Sequence, residues 1–274
     1  MKVLIVGGSG FLGTELVRRA SAAGWSTAAT YCSSRPDGDT PGVSWHQLDL
    51  RTNAQLYDLL AELAPDAIIN ATSGLSDWAV TADGSVRVAM AAARHGRRLV
   101  HVSSDAVFSG SRISYDESCP PDPVTPYGAA KAAAETAVRL LTPAAAVART
   151  SLIIGNGGSA HERMVHELAA GARAGVLFTD VVRCPVHVED LAAALLELAL
   201  SDGSGMFHLA GPDALSRHEL GVLIARRDGL DAALLPAGRG EGASGALDVR
   251  LDSTATQEGL RTRLRGAREF LQVP

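Results

Sequence analysis

The chain has 274 residues, of which 46% are hydrophobic and 20% charged, and its formal net charge is −5. This length suits one large domain or one domain with a small appendage, and the apolar content excludes a mainly disordered chain. The mild acidity argues against a nucleic-acid partner or a membrane surface.

Strands and helices are predicted to alternate through the first half of the chain. The predicted strands are Val3–Val6, Trp25–Thr30, Val43–Leu48, Ala67–Asn70, Arg98–Val102 and Ala144–Arg149. The predicted helices are Phe11–Ala23, Ala54–Leu63, Val80–Arg94 and Pro126–Leu141. Short apolar runs of this kind are typical of strands buried on both faces of a parallel sheet. The alternation therefore predicts an α/β fold, with a Rossmann-type doubly wound parallel sheet.

The pattern becomes less regular after residue 150. The predicted elements are a helix over Glu162–Ala174, a strand at Val176–Phe178, a helix after Glu189-Asp190, a strand at Met206–Leu209, a helix capped by Ser216 and a Gly-rich mobile loop over Pro236–Gly245. We predict that residues 1–150 form a dinucleotide-binding region. Residues 151–274 would form a smaller substrate-binding region interleaved with the main sheet.

Cysteine usage and the first residues bear on the cellular compartment. Cys32, Cys119 and Cys184 are odd in number and far apart, which argues against a disulfide framework or a zinc site. The first apolar run is too short for a signal peptide or a membrane span and continues directly into glycines. We therefore expect reduced thiols, no metal and a cytoplasmic location.

A glycine-rich turn follows the first predicted strand. Gly7, Gly10 and Gly13 are spaced three apart, and the first helix begins within this segment. Glycine allows a tight turn, a close approach of the backbone to a pyrophosphate, and close packing of the helix on the strand. The free N–H groups of the helix N-terminus then face the phosphates. A plain turn is the alternative, but the position after a buried strand favours dinucleotide binding.

The end of the second strand bears on the choice between NAD and NADP. NAD sites tend to place an acidic residue there, whereas this chain has Tyr31, Ser33 and Arg35. A guanidinium can bind a 2′-phosphate through charge-assisted hydrogen bonds, although Arg35 could also be a solvated loop residue. Asp49 and Leu50 could contact the adenine, or Asp49 could cap a helix beginning near Thr52. We expect NADPH as the cofactor, with NADH as the alternative.

Serine, tyrosine and lysine side chains are predicted to meet at the carboxyl edge of the sheet. Tyr127 and Lys131 lie one helical turn apart, and Ser103 and Ser104 follow the fifth predicted strand. A neighbouring ammonium lowers the pKa of a phenol that acts as a general acid, and a serine hydroxyl can hold a carbonyl oxygen. Tyr-x-x-x-Lys alone occurs by chance in many helices, but its combination with the glycine turn and the serine is specific.

These motifs make the chain similar to an extended short-chain dehydrogenase/reductase, and within that superfamily it resembles the dTDP-4-dehydrorhamnose reductase branch. The matching segments extend from residue 1 to about residue 210: residues 7–13, 102–110, 127–131 with Glu135, 148–151 and 187–192. The resemblance implies that Ser104, Tyr127 and Lys131 are catalytic. Tyr127 would be the proton donor, and Lys131 would position the nicotinamide ribose and lower the pKa of the tyrosine.

The complete set of predicted site residues has two further parts. The predicted cofactor-binding residues are Gly7, Ser9, Gly10, Phe11, Leu12, Gly13, Tyr31, Ser33, Arg35, Asp49, Leu50, Ala71, Thr72, Tyr127 and Lys131. The predicted substrate-binding residues are Ser104, Asp105, Ala106 and Arg183.

Two positions depart from the pattern of the family. Ala106 stands where the branch is expected to carry a tyrosine that touches the sugar, and Thr81 stands where an asparagine supports a proton relay in extended members. Both departures concern the identity of the substrate and leave the three catalytic residues in place. A roomier sugar pocket is the expected consequence of Ala106.

The predicted function is an NADPH-dependent reductase that acts on a keto group of a nucleotide-activated deoxysugar. Two alternatives stay open. A non-catalytic nucleotide-binding subunit resembling the regulatory subunit of methionine adenosyltransferase is one, and a sugar-nucleotide epimerase is the other. The Ala-rich helices near residues 86–93 and 129–137 suit a homodimer as well as simple sheet packing.

Other candidate sites are weaker. His161 and His166 are five residues apart, which does not place them on one helix face as a metal pair. Asp116 and Glu117 precede a Pro-rich loop, and a rigid loop is their predicted role. The Gly-x-Ser-x-Gly motif is absent, so the sequence offers no nucleophile elbow of an α/β-hydrolase.

Overall fold

A computed structural model describes residues 1–36, 41–52, 55–75, 77–240 and 245–272. The chain divides into two compact units. Unit 1 comprises Met1–Ser104, Pro126–Arg149 and Ala192–Phe207. Unit 2 comprises Asp105–Thr125, Thr150–Leu191 and His208–Pro274. Both units therefore draw on chain from either side of residue 150, where the sequence predicts a boundary.

Strands and helices largely alternate as far as residue 150, and several two-residue strands follow among the later helices. The strands are β1 (Lys2–Val6), β2 (Ser26–Tyr31), β3 (Val43–Gln47), β4 (Ala67–Asn70), β5 (Arg98–Ser104), β6 (Ser114–Tyr115), β7 (Ala146–Thr150), β8 (Ile153–Ile154), β9 (Leu177–Phe178), β10 (Val182–Arg183), β11 (Val186–His187), β12 (Gly205–Leu209), β13 (Leu215–Ser216), β14 (Ala237–Gly238) and β15 (Arg250–Leu251). The α-helices are α1 (Phe11–Ala22), α2 (Leu56–Leu63), α3 (Gly84–Arg94), α4 (Pro126–Leu141), α5 (Ala160–Ala169), α6 (Val188–Leu200), α7 (Arg217–Arg227), α8 (Thr254–Gly259) and α9 (Ala267–Phe270).

The central sheet has seven strands in the order β12-β7-β5-β4-β1-β2-β3. Strand β1 pairs in parallel with both β2 and β4, while β2 pairs with β3 and β4 with β5 in the same sense. From β1, the chain thus adds β2 and β3 on one side of the sheet. It then crosses to the other side of β1, where it adds β4 and β5. Ligands of doubly wound sheets bind at the carboxyl ends of the strands where the order reverses, which here is the edge formed by β1 and β4.

Each unit has its own apolar core. In unit 1, residues from β1, β4, α2, α3 and β7 form one buried cluster that includes Leu4, Leu60, Ile68, Val88 and Val147. In unit 2 the buried cluster lies among α5, α7 and α9, and the local strand pairs are β10–β13, β11–β8, β14–β9 and β15–β6. No helix in the described parts of the chain is long and apolar enough to cross a membrane.

Two predicted boundaries in unit 1 differ from the structure. Ser103 and Ser104 do not follow β5 but are its last two residues. The helix predicted from Val80 begins as a π-helical turn over Ala79–Asp83, and regular α-helix starts at Gly84. The Thr81 hydroxyl donates to the Leu75 carbonyl at 3.0 Å, which ties this turn to the preceding loop. A side-chain tether of this kind leaves no periodic signal in the sequence.

Three predicted elements of unit 2 also differ. Helix α5 covers Ala160–Ala169 instead of Glu162–Ala174, because a capping box between Ser159 and Glu162 starts it early and Gly171, at a φ of +66°, follows its end. The acidic pair Glu189-Asp190 lies in the first turn of α6 instead of before it. The predicted loop over Pro236–Gly245 contains β14, and its residues 241–244 lie outside the described residues.

The remaining elements agree closely with the prediction. Strand β4 and helix α4 have the predicted bounds, and the other strands and helices of the first half shift by one or two residues at their ends. Ser216 caps α7 by accepting a hydrogen bond from the Glu219 N–H at 3.1 Å, as predicted. The predicted Rossmann-type fold class is confirmed.

Substitution of Gly13 tests the close packing of α1 on the glycine turn. A Cβ at this position would lie 2.1 Å from the Gly7 carbonyl oxygen, a backbone atom that no side-chain rotation can move. We expect Gly13→Ala to lower the free energy of unfolding by about 1–3 kcal/mol, the usual cost of overpacking. Chemical denaturation measures this change.

The matched control for this variant is Gly259→Ala. Gly259 is also helical, and nothing lies within 4 Å of the position that its Cβ would take. This control should leave stability unchanged or raise it by up to about 1 kcal/mol, since alanine restricts the unfolded chain. Equal stability of the two variants would contradict the proposed tight packing.

Candidate active site

The glycine turn of unit 1 brings β1, α1 and β4 close together. Gly7 adopts a φ of +85°, and a Cβ on it would lie 2.9 Å from Cγ2 of Thr72. Gly10 occupies the N-cap of α1 and has no side chain with which to satisfy the first N–H groups of that helix. The turn thus fits the phosphates of a dinucleotide, because a helix N-terminus favours anions.

A cavity of about 200 Å³ opens beside this turn at the carboxyl ends of β1, β2, β3 and β4. Eight of the predicted cofactor-binding residues line it: Gly7, Ser9, Gly10, Tyr31, Asp49, Leu50, Ala71 and Thr72. Among the predicted residues, Leu12 and Gly13 are buried within α1, and Phe11 is the exposed first residue of that helix. The structure thus gathers residues from four strand ends around one concave surface.

Several residues that line this cavity escaped the sequence analysis: Val6, Thr30, Cys32, Leu48, Arg51, Ser73 and Val80. Thr30 has a defined role, because its Oγ1 accepts a hydrogen bond from the Gly7 N–H at 3.0 Å. A hydroxyl at the end of β2, adjacent to the glycine turn in the sheet, is the signal that could have identified it.

Two arginines follow neighbouring strands near the cavity. Arg51 lines the cavity and donates to Oδ2 of Asp77 at 2.7 Å and to Oδ1 of Asp49 at 3.3 Å. These two carboxylates offset its charge. Arg35 is exposed and follows Tyr31, the last residue of β2. Asp49 accepts the N–H of Arg51 at 2.9 Å and does not cap α2, which begins only at Leu56, so the capping alternative is wrong.

Lys131 is a buried ionisable group of unit 1. It is only 2% exposed, and its Nζ donates to the carbonyl oxygens of Val102 at 3.0 Å and Thr72 at 3.2 Å. Burial lowers the pKa of Lys131 to about 8, although the charge of Glu135 acts in the opposite direction. The ammonium is therefore held between the end of β5 and the segment after β4 that lines the cavity.

Tyr127 and Ser104 are placed by the same two elements. Tyr127 is the second residue of α4 and lies one turn before Lys131, so both project from one face of the helix. Ser104 ends β5 two residues after Val102, whose carbonyl accepts from Lys131. Both Ser104 and Tyr127 are half-buried. The arrangement offers a phenol, an ammonium and a hydroxyl at the carboxyl edge of the sheet.

Asn70 supports this edge from beneath and was not predicted as a site residue. Its amide nitrogen lies 3.3 Å from both Oγ of Ser85 and Nδ1 of His101, and its Oδ1 accepts from the N–H and the hydroxyl of Thr72 at 3.2 and 2.6 Å. Burial and the charge of Lys131 lower the pKa of His101 to about 3, so this imidazole is neutral. The fully used amide fixes Thr72, whose carbonyl in turn holds Lys131.

Unit 2 contains a second cavity of interest, of about 460 Å³. Arg183, Arg217 and His161 line it together with apolar side chains that include Phe178 and Leu177. Burial and the nearby charge of Arg183 lower the pKa of Arg217 to about 10. Two like charges beside one cavity repel each other, and an anion between them would relieve that repulsion.

The two arginines are held differently. Arg183 donates to the carbonyl oxygens of Val182, Ala246 and Leu247 at 2.7–2.9 Å and lies 3.5 Å from Oδ2 of Asp105. Arg217 lies with its Nη1 3.1 Å from Nδ1 of His161, whose pKa is lowered to about 4 by burial and by the Arg217 charge. Arg217 was missed by the sequence analysis because one arginine at the start of a helix carries no motif.

The other predicted residues have the following surroundings. The buried carboxylate of Asp105 accepts from the Ser151 hydroxyl at 2.6 Å, and Ala106 is half-buried beside it in the chain. His166 pairs with Asp228 at 2.7 Å on an exposed surface. Asp116 accepts from the Ser118 N–H at 2.9 Å, which stabilises the turn before the Pro-rich loop.

Comparisons with known proteins agree with this geometry. A family model described as RmlD substrate binding domain matches residues 1–258. The dTDP-4-dehydrorhamnose reductase of Mycobacterium tuberculosis is 32% identical over 79% of this chain and 72% of its own length. Methionine adenosyltransferase 2 subunit beta of Mus musculus is 28% identical, with coverages of 86% and 73%. The crystal structure of a dTDP-4-dehydrorhamnose reductase from Bacillus anthracis, in complex with NADP, has a TM-score of 0.83. The match covers 99% of this chain and 97% of that one. At 22% sequence identity, this likeness shows a shared fold.

The titration of Lys131 tests the environment of its ammonium. We expect the pKa of Lys131 to be about 8, below its ordinary value of 10.5. Because the unfolded chain keeps this proton longer, the contribution of Lys131 to stability should rise as the pH rises from about 8 to 10.5. NMR of the lysine ε-carbon measures the pKa, and Lys131→Met identifies the signal. Titration at the ordinary value would contradict the burial of a charged ammonium.

Proposed function

The chain belongs to the RmlD substrate binding domain family, and from that premise we propose that it is an NADPH-dependent reductase of a keto group on a nucleotide-activated deoxysugar. Family membership confirms the predicted relationship to oxidoreductases of the dTDP-4-dehydrorhamnose reductase type. The observation that supports the reaction most is the buried Lys131, held between β5 and the wall of the cavity at the glycine turn.

The chemistry of keto reduction assigns a role to each polar group at this edge. A bound nicotinamide dinucleotide supplies the hydride. Tyr127 donates its phenolic proton to the keto oxygen, and the positive charge of Lys131 stabilises the phenolate that remains. The Ser104 hydroxyl donates a hydrogen bond to the carbonyl oxygen as negative charge develops there. The proton removed from Tyr127 is then replaced from solvent.

The cavity of unit 2, taken by itself, has groups that suit a nucleoside diphosphate. We assign the diphosphate to the side of Arg183 and Arg217, whose charges suit an anion. The apolar side chains that include Phe178 and Leu177 suit a planar base. Arg183 already has several protein acceptors, so Arg217 is the stronger candidate for direct phosphate contact. Asp105 lies 3.5 Å from Arg183 and helps to hold it in place.

Removal of the phenolic hydroxyl tests the proton donor. General acid catalysis typically contributes about 10²–10⁴-fold, so Tyr127→Phe should lower kcat by at least about 10²-fold. The affinity for NADPH, measured by fluorescence titration, should change little because the ring remains. Tyr57→Phe, which removes a hydroxyl from α2, is the matched control and should retain full activity. Normal turnover by Tyr127→Phe would remove Tyr127 from the mechanism.

Cofactor titrations test the role of Arg35. A charge-assisted hydrogen bond to a 2′-phosphate contributes about 1.5–3 kcal/mol, which is roughly tenfold to over a hundredfold in affinity. We therefore expect the protein to bind NADPH more tightly than NADH, and Arg35→Ala to abolish most of this preference. Arg51→Ala is the control, because Asp49 and Asp77 offset the charge of Arg51. Loss of the preference in the control alone would assign the 2′-phosphate to Arg51.

A panel of substrates tests the reaction itself. We expect NADPH-dependent reduction of dTDP-4-keto-6-deoxymannose or an aminated or deoxygenated relative, and no reduction of the same sugars without the nucleotide. Arg217→Gln should raise KM about tenfold or more, the value of a charge-assisted hydrogen bond, with a smaller effect on kcat. Arg226→Gln, an exposed arginine of the same helix, should leave KM unchanged.

The alternatives correspond to distinct outcomes of this panel. Conversion of a nucleotide-sugar without net consumption of NADPH would indicate an epimerase. Failure to convert any nucleotide-linked keto-sugar, together with a stable protein partner in a pull-down, would favour a regulatory subunit, as the likeness to methionine adenosyltransferase 2 subunit beta suggests.

A further inference from the structure

Beneath the proposed catalytic residues of unit 1 lies a buried cluster of three polar side chains, Ser103, Glu135 and Arg149, which we call the Ser103 cluster. Oε1 of Glu135 accepts from the Ser103 hydroxyl at 2.6 Å and from Nε of Arg149 at 3.0 Å, while its Oε2 accepts from Nη2 of Arg149 at 2.9 Å. The three residues are 2%, 2% and 1% exposed. The carboxylate is therefore fully paired in the interior.

The cluster joins the elements that carry the proposed catalytic residues. Ser103 immediately precedes Ser104 in β5, and Glu135 lies one helical turn after Lys131 in α4. Lys131 itself reaches the same strand through the Val102 carbonyl at 3.0 Å. Two consecutive turns of α4 are thus bonded to two consecutive residues of β5. These bonds fix the position of the end of β5 along α4. They therefore also fix the position of Ser104 relative to Tyr127.

Arg149, near the end of β7, stabilises the bond between Glu135 and Ser103. A buried carboxylate without a partner is strongly unfavourable, and the two parallel bonds from one guanidinium set its direction as well as its charge. With Oε1 and Oε2 both bonded to Arg149, the carboxylate is held in one orientation, in which Oε1 also accepts from the Ser103 hydroxyl. Strand β7 is the neighbour of β5 in the sheet, so the cluster rests on a rigid support.

The same carboxylate acts electrostatically on Lys131. Glu135 raises the pKa of Lys131, against the larger lowering effect of burial. His101 faces the ammonium from β5 but is neutral, because its own pKa is lowered to about 3. Arg149 forms an ion pair with Glu135, and Glu135 is the charge that raises the pKa of Lys131. Glu135 is therefore the group that helps Lys131 to keep its proton near neutral pH.

We propose that Ser103, Glu135 and Arg149 are positioning residues of the reductase, which hold Ser104 in register with Tyr127 and keep the Lys131 ammonium charged. None of the three touches the substrate or the cofactor in this proposal. The inference rests on the proposed function, but its electrostatic part concerns only the charge of Lys131 and can be measured without turnover.

The first test separates the two parts of the role. Ser103→Ala removes the hydroxyl and keeps the carboxylate, so kcat should fall between about tenfold and a hundredfold, as for a small misplacement of catalytic groups. KM and NADPH affinity should change little, and Ser103→Thr, which keeps a hydroxyl, should restore most of kcat. Thr136→Ala, an exposed residue of α4 next to Glu135, is the control and should behave as the wild type. Wild-type kcat in Ser103→Ala would overturn the positional part.

The second test concerns the charge. Glu135→Gln keeps the shape and removes the negative charge, so the pKa of Lys131, followed by NMR of its ε-carbon, should fall below the value in the wild type. The loss of activity at high pH should begin at a correspondingly lower pH. In Ser103→Ala, which retains the carboxylate, the pKa of Lys131 should not fall. An unchanged pKa in folded Glu135→Gln would overturn the electrostatic part.

Two further outcomes are informative. Should Glu135→Gln fail to fold, as judged by circular dichroism, the double variant Glu135→Gln with Arg149→Gln takes its place. It removes both buried charges, and the pKa of Lys131 should still fall, because Glu135 is the charge that raises it. Should the wild type reduce no keto-sugar, the proposed function would fail, while the NMR titration would still decide whether Glu135 maintains the charge of Lys131.

Discussion

The burial of one ammonium group, that of Lys131, constrains most of what surrounds it in unit 1. An ammonium that is 2% exposed needs acceptors, and here they are two backbone carbonyls from different strand ends. For these carbonyls to point at one atom, β4 and β5 must be neighbours and end at the same edge. Helix α4 must also cross that edge with its first turns. The parallel sheet and the position of the helix satisfy these requirements together.

The supports of Lys131 are themselves polar and buried. Asn70 fixes Thr72 from one side, and Glu135 with Arg149 fixes the helix from the other. Buried polar networks define a unique arrangement only when each member has its partners, because an unpaired group would cost more than the bonds contribute. The proposed role of Tyr127 as an acid depends on the positive charge that this network holds at Lys131.

In unit 2, two positively charged side chains lie beside the same cavity. Arg183 and Arg217 repel each other at one cavity, and the protein keeps them there by different means. Backbone carbonyls and Asp105 hold Arg183, whereas Arg217 has the neutral imidazole of His161 as its neighbour. Asp105 offsets only part of the charge of the two arginines, so this site suits an anionic ligand.

The sequence by itself determined the parts of the protein that depend on local order. The apolar runs predicted the buried parallel strands, the glycine spacing predicted the turn after β1, and the four-residue spacing placed Tyr127 and Lys131 on one helix face. Each of these depends on neighbours in the chain. Only the tertiary structure decided that Arg51 and Thr30 line the cavity, that Arg217 faces Arg183, and that Ser103 bonds Glu135. Single residues of this kind have no periodicity, and they acquire a role only when distant strand ends and helices meet. The division of the chain into two units, which does not follow the predicted boundary at residue 150, has the same origin, because contacts between segments far apart in the chain, and not their order, define the two units.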